Sequence, residues 1–144
     1  MQLRPYRRKA FYYETDRMDI VHHSNYVRWL EEARIDLMEQ LGCPFSTTEA
    51  AGIVSPVLSV ETSYSYPVRF GDEFEVRCTL ESFNGCRFEL SYEIVNLTTG
   101  QLSCRARTKH CFTDTTLRPI RLQRQFPELC DNLMKALEAE KSEE

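Results

Sequence analysis

The chain has 144 residues, of which 42% are hydrophobic and 28% charged, and this composition is typical of a globular protein rather than a disordered or fibrous one. Its formal net charge of −4 argues against a dedicated nucleic-acid-binding protein, which usually carries a surplus of lysine and arginine. No apolar run approaches the roughly 18 residues of a membrane-spanning helix, so no membrane span is predicted. The length predicts one domain over residues 1–144, with its core over about 6–122, a short helix over about 127–138 and a frayed tail.

The amino-terminal segment and the cysteines indicate the cellular compartment of the protein. The segment is rich in basic residues but has no apolar stretch of roughly 7–15 residues, so it does not match a secretory signal. Six cysteines are dispersed along the chain and form no CxxC pair. This pattern predicts reduced thiols and a cytoplasmic location. The histidines and cysteines also lack the spacing of a metal site, so no metal is predicted.

The first half of the chain predicts a strand, a long helix and a second strand. Lys9–Tyr13 is the candidate first strand. Apolar side chains then recur every three or four residues over 26–41, which predicts an amphipathic helix of about 17 residues. Gly42 is suited to end that helix in the left-handed conformation. Leu58–Tyr66 is predicted as a strand that ends at Pro67.

The second half alternates apolar and polar residues, which indicates an antiparallel sheet covered on one face. The alternation is clearest over Glu73–Glu81 and Phe88–Ile94, with an Asn-Gly hairpin signal at 84–85 between them. A further strand is predicted over Leu102–Phe112. The resulting α+β architecture is one long helix lying against a curved antiparallel sheet. Such a sheet keeps an open edge strand, which favours a symmetric dimer that continues the sheet.

Asp16 and His23 are the candidate catalytic residues. Asp16 lies between the first strand and the helix, and His23 lies at or just before the helix start. A helix amino terminus presents unpaired amides that can bind a developing oxyanion, and a carboxylate beside it can attack a carbonyl or activate water. The residues alone leave a plainer interpretation open, in which Asp16 caps a turn and His23 is a surface residue. Asp19, nearer the helix, is expected to act as its cap.

The motif residues also carry a resemblance to a known family. They are Tyr12–Asp16, Val21–Tyr26, Trp29, Glu32–Arg34 and Tyr66–Val76. In this combination the chain resembles the hotdog-fold acyl-CoA thioesterases, most of all the 4-hydroxybenzoyl-CoA thioesterase and YbgC-like branch. The resemblance covers roughly residues 6–122. It implies a hotdog fold, a homodimer or homotetramer with active sites at the subunit interface, and hydrolysis of an acyl-CoA to a free acid and coenzyme A.

The resemblance also implies roles for residues of the motif. Asp16 matches the family's catalytic carboxylate, which acts either as nucleophile or as general base for water. His23 matches a histidine whose backbone amide polarises the thioester carbonyl. Tyr12 matches a tyrosine that lines the site, and Tyr26 is a further substrate-binding candidate.

Arg87 and Arg118 are candidate contacts for the phosphates of coenzyme A, which belongs to the substrate, so no cofactor is implied. Both arginines also fit a plain role as solvated surface residues. At position 19 the branch usually has glycine where this chain has Asp19. Two alternatives remain at this stage, namely a thioesterase acting on acyl carrier protein and a non-catalytic module that binds acyl thioesters.

Overall fold

The computed structural model describes residues 3–16 and 19–142. In chain order the elements are β1 (Tyr6–Lys9), a 3₁₀ turn (Tyr12–Glu14), α1 (Ser24–Gln40), α2 (Phe45–Ala50), β2 (Val57–Tyr64), β3 (Glu73–Phe83), β4 (Arg87–Asn96), β5 (Leu102–Cys111), α3 (Leu122–Gln125) and α4 (Pro127–Ser142). The strands form one antiparallel sheet in the order β1-β3-β4-β5-β2. This is the predicted α+β hotdog architecture, and the prediction is confirmed.

Helix α1 lies across the sheet because its apolar residues repeat at the helical period. Trp29 is fully buried and stacks on Phe74 of β3, with 4.0 Å between the ring centroids. The helix ends in a Schellman motif, in which the amide of Gly42 donates to the carbonyl of Glu39 and the amide of Cys43 donates to that of Met38. Gly42 has a φ of +79°, which glycine adopts without steric cost. The predicted helix and its end are therefore confirmed.

The predicted first strand is wrong in position. The strand is Tyr6–Lys9, which pairs with β3 from Glu73 to Val76, and Tyr12–Glu14 forms a 3₁₀ turn instead. The turn forms because the buried carboxylate of Glu14 accepts a hydrogen bond from the amide of Phe11 at 2.8 Å. That bond closes the chain on itself at the point where an extended strand was expected.

Asp19 is not the cap of α1, contrary to the prediction. It lies in a turn ahead of the helix with a φ of +61°, and its amide donates to the carbonyl of Asp16 at 3.2 Å. The imidazole of His22 serves the helix instead, since its Nδ1 accepts from the amide of Ser24 at 3.2 Å. A left-handed backbone at position 19 suits glycine, the residue that the resemblance leads us to expect there.

Strand β2 forms one edge of the sheet, and seven of its eight residues are exposed. Leu58, Val60 and Tyr64 are between 42% and 49% exposed although they belong to a sheet.

At the other end of the chain, α4 extends to Ser142 rather than stopping near residue 138. Within the described ranges, no helix combines the length and apolar character needed to cross a bilayer.

Candidate active site

The segment that carries Asp16 folds back toward the start of α1. The amide of Asp16 donates to the carbonyl of Ile20 at 2.9 Å, and Thr15 forms an antiparallel bridge with Val21. Residues 17–18 lie outside the described residues. The turn leaves Asp16 exposed on the surface beside the loop that leads into the helix.

His23, the residue directly before α1, supplies a backbone amide to the candidate site. The amide of Asn25 donates to the carbonyl of His22 at 3.0 Å, and the amide of Tyr26 donates to that of His23 at 3.2 Å. Among residues 3–16 and 19–142, none accepts a hydrogen bond from the amide of His23. This amide lies at the positive end of the helix dipole, so it can donate to an oxyanion.

Aromatic rings lie on the segments next to this amide, and together they form the rim of the candidate site. The His23 ring stacks on His22 with centroids 4.3 Å apart and meets the edge of Tyr64 at 6.3 Å. Tyr12 is 74% exposed and makes an edge contact with Phe70 at 5.7 Å. Exposed rings at this density are suited to line a slot for an apolar acyl group.

Tyr26 lies beneath the rim, in the core. Its side chain is 4% exposed, and its hydroxyl accepts a hydrogen bond from the amide of Val68 at 3.3 Å. Burial raises the pKa of Tyr26, so the phenol is neutral near pH 7. Its ring contacts Tyr64 with centroids 5.1 Å apart, and through that contact it supports the rim.

Arg87 and Arg118 lie apart from the other candidates. Arg87 begins β4 and lines a groove of about 360 Å³ together with Asn84 and Lys109. Arg118 is exposed in the segment after β5, where its amide donates to the carboxylate of Asp114 at 3.0 Å. Among the described residues, neither arginine shares a hydrogen bond, an ion pair or a ring contact with His23 or with the first residues of α1.

Sequence reasoning did not single out Glu14, whose side chain makes several hydrogen bonds at this junction. It is 4% exposed, and its carboxylate accepts from Arg8, from the amide of Phe11 and from the indole of Trp29. A lone acidic residue in an aromatic segment gives no signal of these partners, because they come from three different elements.

Comparisons with known proteins bear on this site. A family model described as the thioesterase-like superfamily matches residues 12–137. The chain belongs to this superfamily. Its fold and the superfamily model together identify it as a hotdog-fold thioester hydrolase, so the predicted family and enzyme class are confirmed. The superfamily match includes both Asp16 and His23.

Individual relatives fall in the same superfamily. The chain is 36% identical over 118 residues to "Putative acyl-CoA thioesterase YneP" of Bacillus subtilis, covering 81% of this chain and 85% of that protein. It is 28% identical over 109 residues to the 1,4-dihydroxy-2-naphthoyl-CoA hydrolase of Thermosynechococcus vestitus, covering 75% and 74%. A solved structure of the DHNA-CoA thioesterase from Staphylococcus aureus superimposes with a TM-score of 0.91 and 30% identity, covering 97% of this chain and 94% of that one.

Proposed function

We propose that this superfamily member is an acyl-CoA thioesterase in which Asp16 is the catalytic carboxylate and the backbone amide of His23 is the oxyanion donor. The observation that carries the proposal is the return of the Asp16 segment onto the start of α1, where no described residue accepts a hydrogen bond from the His23 amide. A carboxylate and an oxyanion donor are the two groups that hydrolysis of an activated thioester requires.

The reaction follows from this arrangement. The thioester oxygen accepts a hydrogen bond from the amide of His23, which makes the carbonyl carbon more electrophilic. In one route the carboxylate of Asp16 attacks that carbon, coenzyme A leaves as its thiolate, and water hydrolyses the resulting mixed anhydride. In the other route Asp16 takes a proton from water as the water attacks. Single-turnover hydrolysis in H₂¹⁸O identifies the first route when ¹⁸O appears in the Asp16 carboxylate, because that label arises only when water opens the mixed anhydride at the Asp16 carbonyl.

The proposed substrate contacts have separate roles. Tyr12 lines the acyl slot at the rim, and Tyr26 supports it from below. Arg87 and Arg118 would hold the phosphates of coenzyme A, because guanidinium groups form bidentate hydrogen bonds to phosphate. Their exposure leaves both side chains accessible to a ligand.

The active form is proposed to be a homodimer joined at β2. This strand lies at the edge of the sheet, so one side of its backbone can pair with a second copy. Leu58, Val60 and Tyr64 expose more apolar surface than a sheet usually leaves open to water in a monomer. A second copy paired along β2 would bury these side chains and cover the rim next to His23. Sedimentation at micromolar concentration should give a dimer, and a wild-type monomer with full activity would contradict this arrangement.

The function is tested with a substrate panel. Thiol release is followed for acetyl-, hexanoyl-, palmitoyl-, benzoyl- and 1,4-dihydroxy-2-naphthoyl-CoA, with the Asp16→Asn variant as the blank. The proposal expects at least one acyl-CoA to be hydrolysed by the wild type and not by the variant. Matched acyl groups on acyl carrier protein form the second arm, because one relative is an acyl-acyl carrier protein thioesterase, 21% identical over 110 residues. Turnover of carrier-bound substrates alone would overturn the acyl-CoA assignment.

A further inference from the structure

Glu14 places a charged carboxylate inside the protein, two residues before Asp16. Its Oε1 accepts from Arg8 and from the amide of Phe11, and its Oε2 accepts from the indole Nε1 of Trp29 at 2.8 Å. Burying a carboxylate is costly unless hydrogen bonds and a counter-charge compensate for the lost water. Here both oxygens are occupied, so the side chain is fixed in position.

The backbone of the same residue contacts the start of α1. The carbonyl of Glu14 accepts from the amide of His22 and from the side-chain amide of Asn25, each at 2.9 Å. His22 directly precedes His23. One residue therefore joins the Asp16 segment to α1 at three points, through the indole of Trp29, the amide of His22 and the side chain of Asn25.

Arg8 completes the connection from the other side. It binds both carboxylate oxygens of Glu32 on α1, at 2.8 and 2.9 Å, as well as Glu14. Its guanidinium also lies over the ring of Phe11, 4.2 Å from the centroid. The buried charge of Glu14 is thus balanced by an arginine that is itself held by the helix.

We propose that Glu14 is a positioning residue, whose carboxylate and carbonyl set the separation between the Asp16 carboxylate and the His23 amide. This inference rests on the proposed function, in which those two groups act on the thioester. A displacement of about 1 Å between reacting groups can lower a rate on the order of a hundredfold. Loss of the tether should therefore lower kcat while KM stays close to that of the wild type.

The test variant is Glu14→Gln, which keeps the size of the side chain. Both oxygens of Glu14 face donors, so the amide nitrogen of glutamine must point at one of those donors. The variant also removes the charge that pairs with Arg8. We expect kcat to fall roughly ten- to a hundredfold, by the same argument from displacement.

Glu75→Gln is a matched control. Glu75 on β3 is also 4% exposed, and it is also paired with arginines, Arg7 and Arg77. It makes no described contact with the Asp16 segment or with the start of α1. Its substitution removes a buried charge of the same kind, so it should lower the melting temperature and leave kcat within twofold of the wild type.

Tryptophan fluorescence gives a readout independent of activity. Trp29 is the only tryptophan in the chain, and its indole donates to Glu14. Its emission maximum should shift in Glu14→Gln and stay in place in Glu75→Gln. In a double-mutant cycle, Glu14→Gln and Trp29→Phe should share part of their loss in kcat, because both substitutions disturb the contact between the Glu14 side chain and the indole of Trp29.

The outcomes separate the two proposals when all variants are assayed together with the acyl-CoA that the wild type hydrolyses fastest. Loss of turnover in Asp16→Asn with kcat within twofold of wild type in Glu14→Gln overturns the positioning role alone. Wild-type turnover in Asp16→Asn overturns both proposals. Equal losses of kcat in Glu14→Gln and Glu75→Gln also overturn the positioning role. Should Glu14→Gln fail to fold, Trp29→Phe decides, and a kcat within twofold of wild type refutes the role.

Discussion

His110 should make the protein less stable in acid, because it is buried as a neutral imidazole. It lies on β5 with 1% of its surface exposed, stacked on Phe88 with centroids 4.8 Å apart. Its Nε2 shares a hydrogen bond with the hydroxyl of Thr108 at 2.7 Å, while Nδ1 has no partner among the described residues. Burial first, and then the charge of Arg34, lower the pKa of His110 to about 3.

The size of the effect follows from that shift. The unfolded chain takes up a proton on this side chain near pH 6.5, while the folded chain does not until about pH 3. The free energy of unfolding is therefore highest, as far as His110 is concerned, above pH 6.5. It falls as the pH drops from 6.5 toward 3, because the unfolded chain binds a proton there and the folded chain does not. The loss is roughly 1.4 kcal/mol per pH unit, or about 2 kcal/mol between pH 7 and pH 5.

Urea unfolding at pH 7 and pH 5 measures this loss, with His110→Gln as the comparison. The variant keeps an amide that can bond to Thr108 but cannot be protonated. It is expected to be less stable than the wild type at pH 7, and the difference should shrink by about 2 kcal/mol at pH 5. An equal loss of unfolding free energy between pH 7 and pH 5 in the wild type and in His110→Gln would refute the reasoning. So would an NMR titration in which the His110 ring changes near pH 6.5.

Three further substitutions test the site and the turn beside it. His23→Ala should keep kcat within about tenfold of wild type because the amide remains, whereas His23→Pro should lower it by about a hundredfold or more by removing the N–H. The φ of −57° at His23 already suits proline, so the substitution should not distort the backbone. Equal kcat values for His23→Ala and His23→Pro in steady-state assays would therefore contradict the role of the His23 amide. Asp19→Gly should raise the free energy of unfolding by about 0.5–1 kcal/mol, since φ is +61° there and glycine has no β-carbon to strain. A lower unfolding midpoint in urea would contradict it.

The sequence predicted the elements whose signal is repeated along the chain. The period of α1 and its glycine stop, and the alternation in β3 and β4, each depend on several residues that agree with one another. The first strand was misplaced because its limit depends on one contact, the bond from the Phe11 amide to the Glu14 carboxylate. Spacing within a segment does not report such a contact.

The candidate site was only partly accessible to sequence reasoning. The motif drew attention to Asp16 and His23 but not to the carbonyl of Glu14, which accepts from the amide of His22, because a backbone group has no sequence signature. Tyr26 shows the same limit, since the helical period places it on the apolar face without distinguishing a core residue from a substrate contact. Its depth became known only from the surrounding fold.

The most direct test of the account is the turnover number of Asp16→Asn, measured on the acyl-CoA that the wild type hydrolyses fastest. The substitution keeps the size of the side chain and removes its charge. The account predicts a kcat at least a hundredfold lower, the scale expected for a group that acts on the reacting atoms, with the melting temperature and oligomeric state of the wild type retained. A kcat within threefold of wild type would contradict it.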